Sequence, residues 1–264
     1  MNWLEALILG IIQGITEFLP VSSSGHLVIG KELLGLAAAD NIVFETVVHC
    51  GTVLSTITIL RKDLMQLFIK LFKFEWNTET QYIAKIAISM IPVMVVGLFF
   101  KDQVEAFFGE GLLLVGAMLL LTATLLALTN LVKFKERKNV GWGSSLVIGL
   151  AQAVAVLPGL SRSGSTIATG LLIGVKKEEV AKFSFLMVLI PILGETFLGA
   201  FGGDFSVQAS GIATSSLIIG FFASYIVGCF ACKWMIELVK KANLIWFAIY
   251  CAIAGSVALI VGLL

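Results

Sequence analysis

Two short stretches of the chain concentrate the side chains that could do chemistry. Residues 13–26 read QGITEFLPVSSSGH and residues 158–166 read PGLSRSGST. Arg162 can give bidentate hydrogen bonds to a phosphoryl oxygen and stays charged under all conditions. Glu17 lies four residues after Gln13, so the two share a helix face and could hold a divalent cation, with substrate phosphates completing the shell. His26 is suited to be a proton carrier or a nucleophile near neutral pH, and Ser23 is the competing nucleophile. Each Ser/Gly turn can also cap the helix that follows it. Ser22, Ser23 and Ser24, or Ser161 and Ser163, supply capping oxygens, and Gly25 or Gly164 permits close approach. The unpaired N–H groups and positive dipole end of such a helix stabilise an anion. Two of them facing one another suit a dianionic group or a pyrophosphate.

The elements that must position these residues lie in a strongly apolar chain. Across 264 residues, 58% are hydrophobic, 13% are charged and the mean hydropathy is +1.01, against about 25% charged in soluble domains. Apolar stretches run over 4–20, 42–60, 83–100, 112–132, 144–157, 164–175, 183–201, 212–232 and 244–264. The two reactive turns follow Pro20 and Pro158 and adjoin segments too short to cross roughly 30 Å of hydrocarbon at 1.5 Å per residue. These read as re-entrant half-helices, and the other six stretches as full spans. That assignment puts Arg61, Lys62, Lys70 and Lys73, then Lys133, Lys135, Arg137 and Lys138, then Lys176, Lys177 and Lys182, and finally Lys233, Lys240 and Lys241 on one side. Lys31 and Lys101 fall on the other, as the positive-inside rule requires, with both termini outside.

A repeat underlies the pattern. Placing Gly10 over Gly149, an offset of 139, brings Gln13 onto Gln152, Ser22 onto Ser161, Ser24 onto Ser163, Gly25 onto Gly164 and Phe44 onto Phe183. Each copy holds one hairpin and three spans, so the second must enter the membrane inverted. Broken helices of inverted repeats meet near the midplane, where polar substrates bind. The expected fold is an all-α polytopic membrane protein of six transmembrane helices plus two re-entrant hairpins. It forms one membrane domain over 1–264, built from inverted repeats at about 1–132 and 140–264.

Composition also narrows the function classes. A formal charge of +1 without a long basic run argues against a nucleic-acid partner. Cys50, Cys229, Cys232 and Cys251 lie in apolar runs, and the Cys229–Cys232 pair lacks companions for a zinc or redox site. The opening Met1-Asn2-Trp3-Leu4-Glu5 lacks a positive n-region, so the first apolar stretch is expected to stay in the mature fold. Capping and tight helix packing explain either turn alone equally well. Ionisable Glu17, His26 and Arg162 at membrane depth, brought together by the repeat, favour a site. Glu45, His49 and Glu195 are weaker candidates because each stands alone, and the aromatic residues read as packing or lipid-facing groups.

Residues Gln13–His26 and Pro158–Thr166 resemble the two signature motifs of the bacterial undecaprenyl-pyrophosphate phosphatases of the bacitracin-resistance type, and the likeness spans the whole chain. The resemblance implies removal of the terminal phosphate of undecaprenyl pyrophosphate, which recycles the carrier lipid for cell-wall synthesis and confers bacitracin resistance. It implies the bacterial cytoplasmic (inner) membrane, with the site open to the periplasm or exterior. By position, Glu17, Ser23 and His26 match functional residues of the first motif, and Ser161, Arg162 and Thr166 those of the second. Gln13 stands where many members carry Glu, which leaves a single carboxylate. A Mg²⁺ or Ca²⁺ ion at Glu17 would then rely more on substrate oxygens.

The implied catalytic set is Glu17, Ser23, His26 and Arg162, with Gln13, Ser22, Ser24, Ser161, Ser163 and Thr166 binding substrate beside Arg162. Either Ser23 attacks with His26 as base, or His26 attacks directly, while Glu17 orients the histidine or helps hold the metal. Membrane lipids are the other expected partners, and the sequence leaves a homodimer open. The rival reading is a transporter or flippase for a polyprenyl phosphate, since inverted repeats with broken helices also build alternating-access carriers.

Overall fold

The computed structural model describes residues 1–36, 42–107, 111–131, 138–194, 211–241 and 243–263. Every regular element among them is an α-helix, apart from a single bridge between Lys138 and Val175. In chain order the helices are α1 (Trp3–Thr16), α2 (Ser23–Leu33), α3 (Ile42–Ile59), α4 (Arg61–Leu71), α5 (Thr78–Phe99), α6 (Lys101–Phe107), α7 (Gly111–Leu131), α8 (Trp142–Val154), α9 (Arg162–Leu172), α10 (Lys177–Met187), α11 (Thr214–Lys241) and α12 (Ile245–Leu263).

Four of these, α5, α7, α11 and α12, are long and apolar enough to cross a membrane, and α3 with α4 makes a fifth if that bent pair is one span. The chain is therefore a multi-pass membrane protein by length and composition. The expected stretch at 183–201 is described as far as 194: α10 ends at Met187, a turn falls at Val188 and helix resumes over 189–194. Glu195 lies outside the described residues, as do Lys133, Lys135 and Arg137. α4 was not legible as an apolar stretch because it is amphipathic. Leu64, Leu67, Phe68 and Leu71 recur at helical spacing among Arg61, Lys62, Asp63 and Lys70, and the helix leaves α3 at a 76° bend.

Local chemistry sets the ends of the short helices that frame the turns. Asn2 caps α1 by accepting from the Leu4 and Glu5 amides, each at 2.9 Å, and Glu5 reaches back to the Asn2 amide at 2.7 Å. α1 stops before Pro20, and α2 starts where the Ser22 hydroxyl accepts from the Gly25 amide at 3.2 Å. At an offset of 139 the same device recurs, with Ser161 Oγ accepting from the Gly164 amide at 3.0 Å. That offset carries Ser23–Leu33 onto Arg162–Leu172 residue for residue. Phe44 and Phe183, the other matched pair, are both fully buried.

Small residues let the halves interleave. α1 lies along α11, where a Cβ on Gly10 would stand 2.6 Å from the Gly220 carbonyl oxygen. Its counterpart α8 lies along α5, and a Cβ on Gly149 would stand 2.3 Å from the Ser89 carbonyl oxygen. α7 crosses α12 at Gly116 and Gly255. Each half thus packs its first short helix on a long helix of the other, with backbones close enough to exclude any side chain.

Contacts among the described residues tie several of the connections together. Lys182 Nζ donates to Asp63 Oδ1 at 2.5 Å, the Trp76 and Trp142 rings stack at 6.1 Å, and Lys138 bridges to Val175. Asn243 donates to Asn130, tying in the α11–α12 connection.

Gly149→Ala is expected to destabilise the fold by about 1–3 kcal/mol through forced separation of α8 from α5. Gly143→Ala, with nothing within 4 Å of the added carbon, should leave it unchanged. Thermal unfolding of the two variants in detergent checks the contrast.

Candidate functional site

The two turns, remote in sequence, touch. Arg162 Nη2 donates to Glu17 Oε1 at 2.6 Å across 145 positions, Ser163 Oγ donates to the Leu19 carbonyl at 3.1 Å, and the Gly159 amide donates to Ser24 Oγ at 3.3 Å. A Cβ on Gly25 would stand 3.2 Å from Gly159 Cα, so any side chain there would press on the second turn. Thr122 of α7 accepts from the Ser161 amide at 3.0 Å and holds the second turn from behind.

Glu17, just past the end of α1, is the hub. Its side chain is 7% exposed and receives four groups. Oε1 takes Arg162; Oε2 takes the Ser23 hydroxyl at 2.6 Å and the Gln13 amide at 2.9 Å, with His49 Nε2 at 3.6 Å. A carboxylate buried this deeply is tolerable because donors and a paired cation surround it. His49 is held in turn by the Glu45 backbone carbonyl, 2.8 Å from Nδ1. Glu45 also accepts from the buried Lys31.

These groups line a cavity of about 390 Å³. Ser22, Ser23 and Ser24 at the start of α2 and Ser161, Arg162 and Ser163 at the start of α9 face it, so both helix N-termini adjoin the same hollow. Glu45, His49, Thr16 and Gln152 add polar groups, while Val93, Val96, Val104, Val156 and Leu160 form apolar wall. On the far side of Glu17 and Arg162 lies a hollow of about 20 Å³ reaching Thr52, Thr56 and Ser184, room for about one water.

Sequence reasoning thus named Glu17, Ser23, Arg162, Gln13 and the capping serines, and the structure brings them together. Two of its residues are placed differently. Thr166 is 1% exposed and its hydroxyl meets Ser184 Oγ at 2.6 Å and the Arg162 carbonyl at 2.9 Å, so it buttresses α9 from inside. His26 meets neither Glu17 nor Ser23 through its ring nitrogens. Nδ1 lies 2.7 Å from the Ser22 carbonyl and Nε2 lies 2.6 Å from the Tyr250 hydroxyl. His49, a weaker candidate from sequence, contacts Glu17 directly. Its i, i+4 spacing from Glu45 was the available signal. Tyr250 gave none, standing in an apolar stretch 224 positions away from its partner.

Among the described residues no three His, Cys, Asp or Glu side chains cluster to cage a metal. The oxygen set still fits a cation that arrives with its substrate. Gln13 is fully buried with its Oε1 unpartnered, one turn from Glu17. Mg²⁺ commonly takes one or two protein oxygens and completes its shell with waters and phosphates.

Arg162→Met should destabilise the protein by about 3–5 kcal/mol, because it strands a buried carboxylate. Adding Glu17→Gln to it should recover part of that loss, as read from melting temperatures of the single and double variants.

The chain is similar to known proteins along nearly its whole length. An undecaprenyl-diphosphatase of Bacteroides fragilis is 57% identical over 265 residues, covering 99% of this chain and 98% of that protein. One from Bacteroides thetaiotaomicron is 56% identical over 98% of this chain and 99% of its own length. One from Methanobrevibacter smithii is 37% identical over 97% of this chain and 96% of its own length. The family described as bacitracin resistance protein BacA matches residues 6–257, a span that takes in both turns and all the groups around Glu17, and the chain belongs to that family.

Proposed function

We propose that the chain is an integral membrane phosphatase that hydrolyses undecaprenyl pyrophosphate to undecaprenyl phosphate and inorganic phosphate, recycling the carrier lipid of cell-wall synthesis. The observation that carries this reading is the Arg162–Glu17 contact at 2.6 Å, which gathers an arginine, two helix N-termini and a serine hydroxyl around one cavity. The names of the full-length relatives point to the same substrate.

The membrane arrangement that goes with this reading has six spans and two re-entrant hairpins, α1–α2 and α8–α9, in one domain of two inverted repeats. In its favour, α1 and α8 are apolar but only 14 and 13 residues long, too short to cross roughly 30 Å at 1.5 Å per residue. The cationic connections then face the cytoplasm and the cavity opens toward the periplasm or exterior of a bacterial cytoplasmic membrane. The valine and leucine wall beside the polar groups suits the first units of a prenyl chain. A homodimer is compatible with this arrangement.

In the proposed reaction Arg162 and the N–H groups at the starts of α2 and α9 hold the pyrophosphate. Ser23 Oγ attacks the terminal phosphorus as its proton passes to Glu17, already its hydrogen-bond partner at 2.6 Å. The bond from that phosphorus to the bridging oxygen breaks, and the lipid monophosphate leaves with the electron pair. Water then attacks the seryl phosphate; the P–Oγ bond breaks, Ser23 regains its proton from Glu17 and inorganic phosphate departs. Positioning and electrostatics dominate such chemistry. Ser23 is favoured over His26 as nucleophile because Ser23 lines the cavity with its hydroxyl directed at a carboxylate. A Mg²⁺ or Ca²⁺ ion carried by the substrate would be held by Glu17 and Gln13 Oε1 and would neutralise phosphate charge.

Phosphate release by the purified chain from undecaprenyl pyrophosphate tests the reading. Ser23→Ala is expected to remove turnover, and Arg162→Lys to lower it by about 100- to 1,000-fold through loss of the bidentate fork. Retention of full turnover by Ser23→Ala, or a trapped phosphoryl group mapped to a residue other than Ser23, would reject the serine route.

A further inference from the structure

His26 is fixed by two partners of different chemistry. The Ser22 carbonyl, 2.7 Å from Nδ1, can only accept a hydrogen bond, so Nδ1 carries the hydrogen. In the neutral ring Nε2 then holds the lone pair, and the Tyr250 hydroxyl at 2.6 Å must donate to it. The angle between the two rings is 14°, with centroids 5.5 Å apart. The rings therefore lie nearly parallel, stacked on one another, with the hydroxyl of one at the nitrogen of the other.

Both partners are held firmly. Ser22 has φ of 72°, a left-handed value that is costly for a side-chain-bearing residue, and it turns the carbonyl toward both the His26 amide and ring. Tyr250 sits on α12, whose register is set by the backbone approach of Gly255 to Gly116 on α7. Its neighbour Cys251 is fully buried with its thiol 3.6 Å from the Pro20 carbonyl, so α12 grips the first turn at two successive residues. Tyr250 is half-exposed on a mostly apolar helix, and the fold supplies His26 as a partner for its O–H.

We infer that Tyr250 is a positioning residue for His26: its hydroxyl holds the ring in the Nδ1–H tautomer and makes Nε2 the basic nitrogen. A proton taken up by the neutral His26 ring would therefore go to Nε2. The catalytic side of this inference rests on the phosphatase reading; the tautomer does not.

The test uses the full chain in detergent, as wild type, Tyr250→Phe, His26→Ala and the double variant, with undecaprenyl pyrophosphate as substrate. Tyr250→Phe keeps the ring and removes only the hydroxyl. It is expected to lower kcat by about 10- to 100-fold, the usual effect of removing the group that orients a functional histidine. KM should be unchanged, and no further loss should appear in the His26→Ala background. An unchanged kcat in Tyr250→Phe, losses that multiply in the double variant, or full turnover in His26→Ala each overturns the inference. The chain has two histidines, so ¹⁵N-histidine spectra, assigned by the signal missing from His26→Ala, read the tautomer without turnover. The Nδ1–H form is expected in the wild type and a mixture in Tyr250→Phe; an Nε2–H ring in the wild type overturns the inference whatever the activity. A wild-type chain that holds the Nδ1–H tautomer but releases no phosphate sinks the phosphatase reading and leaves the His26–Tyr250 pairing standing.

Discussion

A single carboxylate in a low-dielectric interior governs the rest of this molecule. Glu17 is stable where it sits only because donors converge on it from α1, α2 and α9, with Arg162 and His49 supplying or able to supply positive charge. Removing an ion from water costs several kcal/mol, and the cost is offset only when geometry and hydrogen bonds are nearly complete. The α8–α9 turn therefore cannot drift from the α1–α2 turn without stranding a charge. Contacts at Leu19 and Gly159 repeat that constraint with neutral groups.

The surrounding fold serves this meeting of turns. In lipid there is no hydrophobic force between helices, so close backbone contact and hydrogen bonding must hold them. Gly10, Gly14 and Gly149 provide the contact, and they lie on the short helices that lead into the turns. Interleaving means that neither half can form its side of the cavity alone: α1 leans on α11 and α8 leans on α5. The same polar economy explains Thr166, whose hydroxyl is consumed inside the bundle rather than offered to the cavity.

The donors and acceptors around the cavity are unevenly matched. Arg162 and the helix ends offer hydrogen to an anion, while the Oε1 atoms of Gln13 and Gln152 are buried acceptors without a partner. An anionic ligand alone would answer the first set and not the second.

Membrane residence, helical class and the serine caps of both turns were legible in the sequence, because hydropathy, helix capping and Ser/Gly turn chemistry are local properties. Helices α2 and α9 span ranges 139 positions apart, each opened by a capping serine. What the sequence could not say is which side chains face which. It grouped His26 with Ser23 by proximity along the chain, whereas rotation about α2 and the arrival of α12 turn the ring's nitrogens to Ser22 and Tyr250. It ranked His49 low because its partner, Glu17, lies on another helix. Partnerships across 32, 145 or 224 positions depend on how helices cross and rotate, and no local pattern records that; only the packed structure decides it.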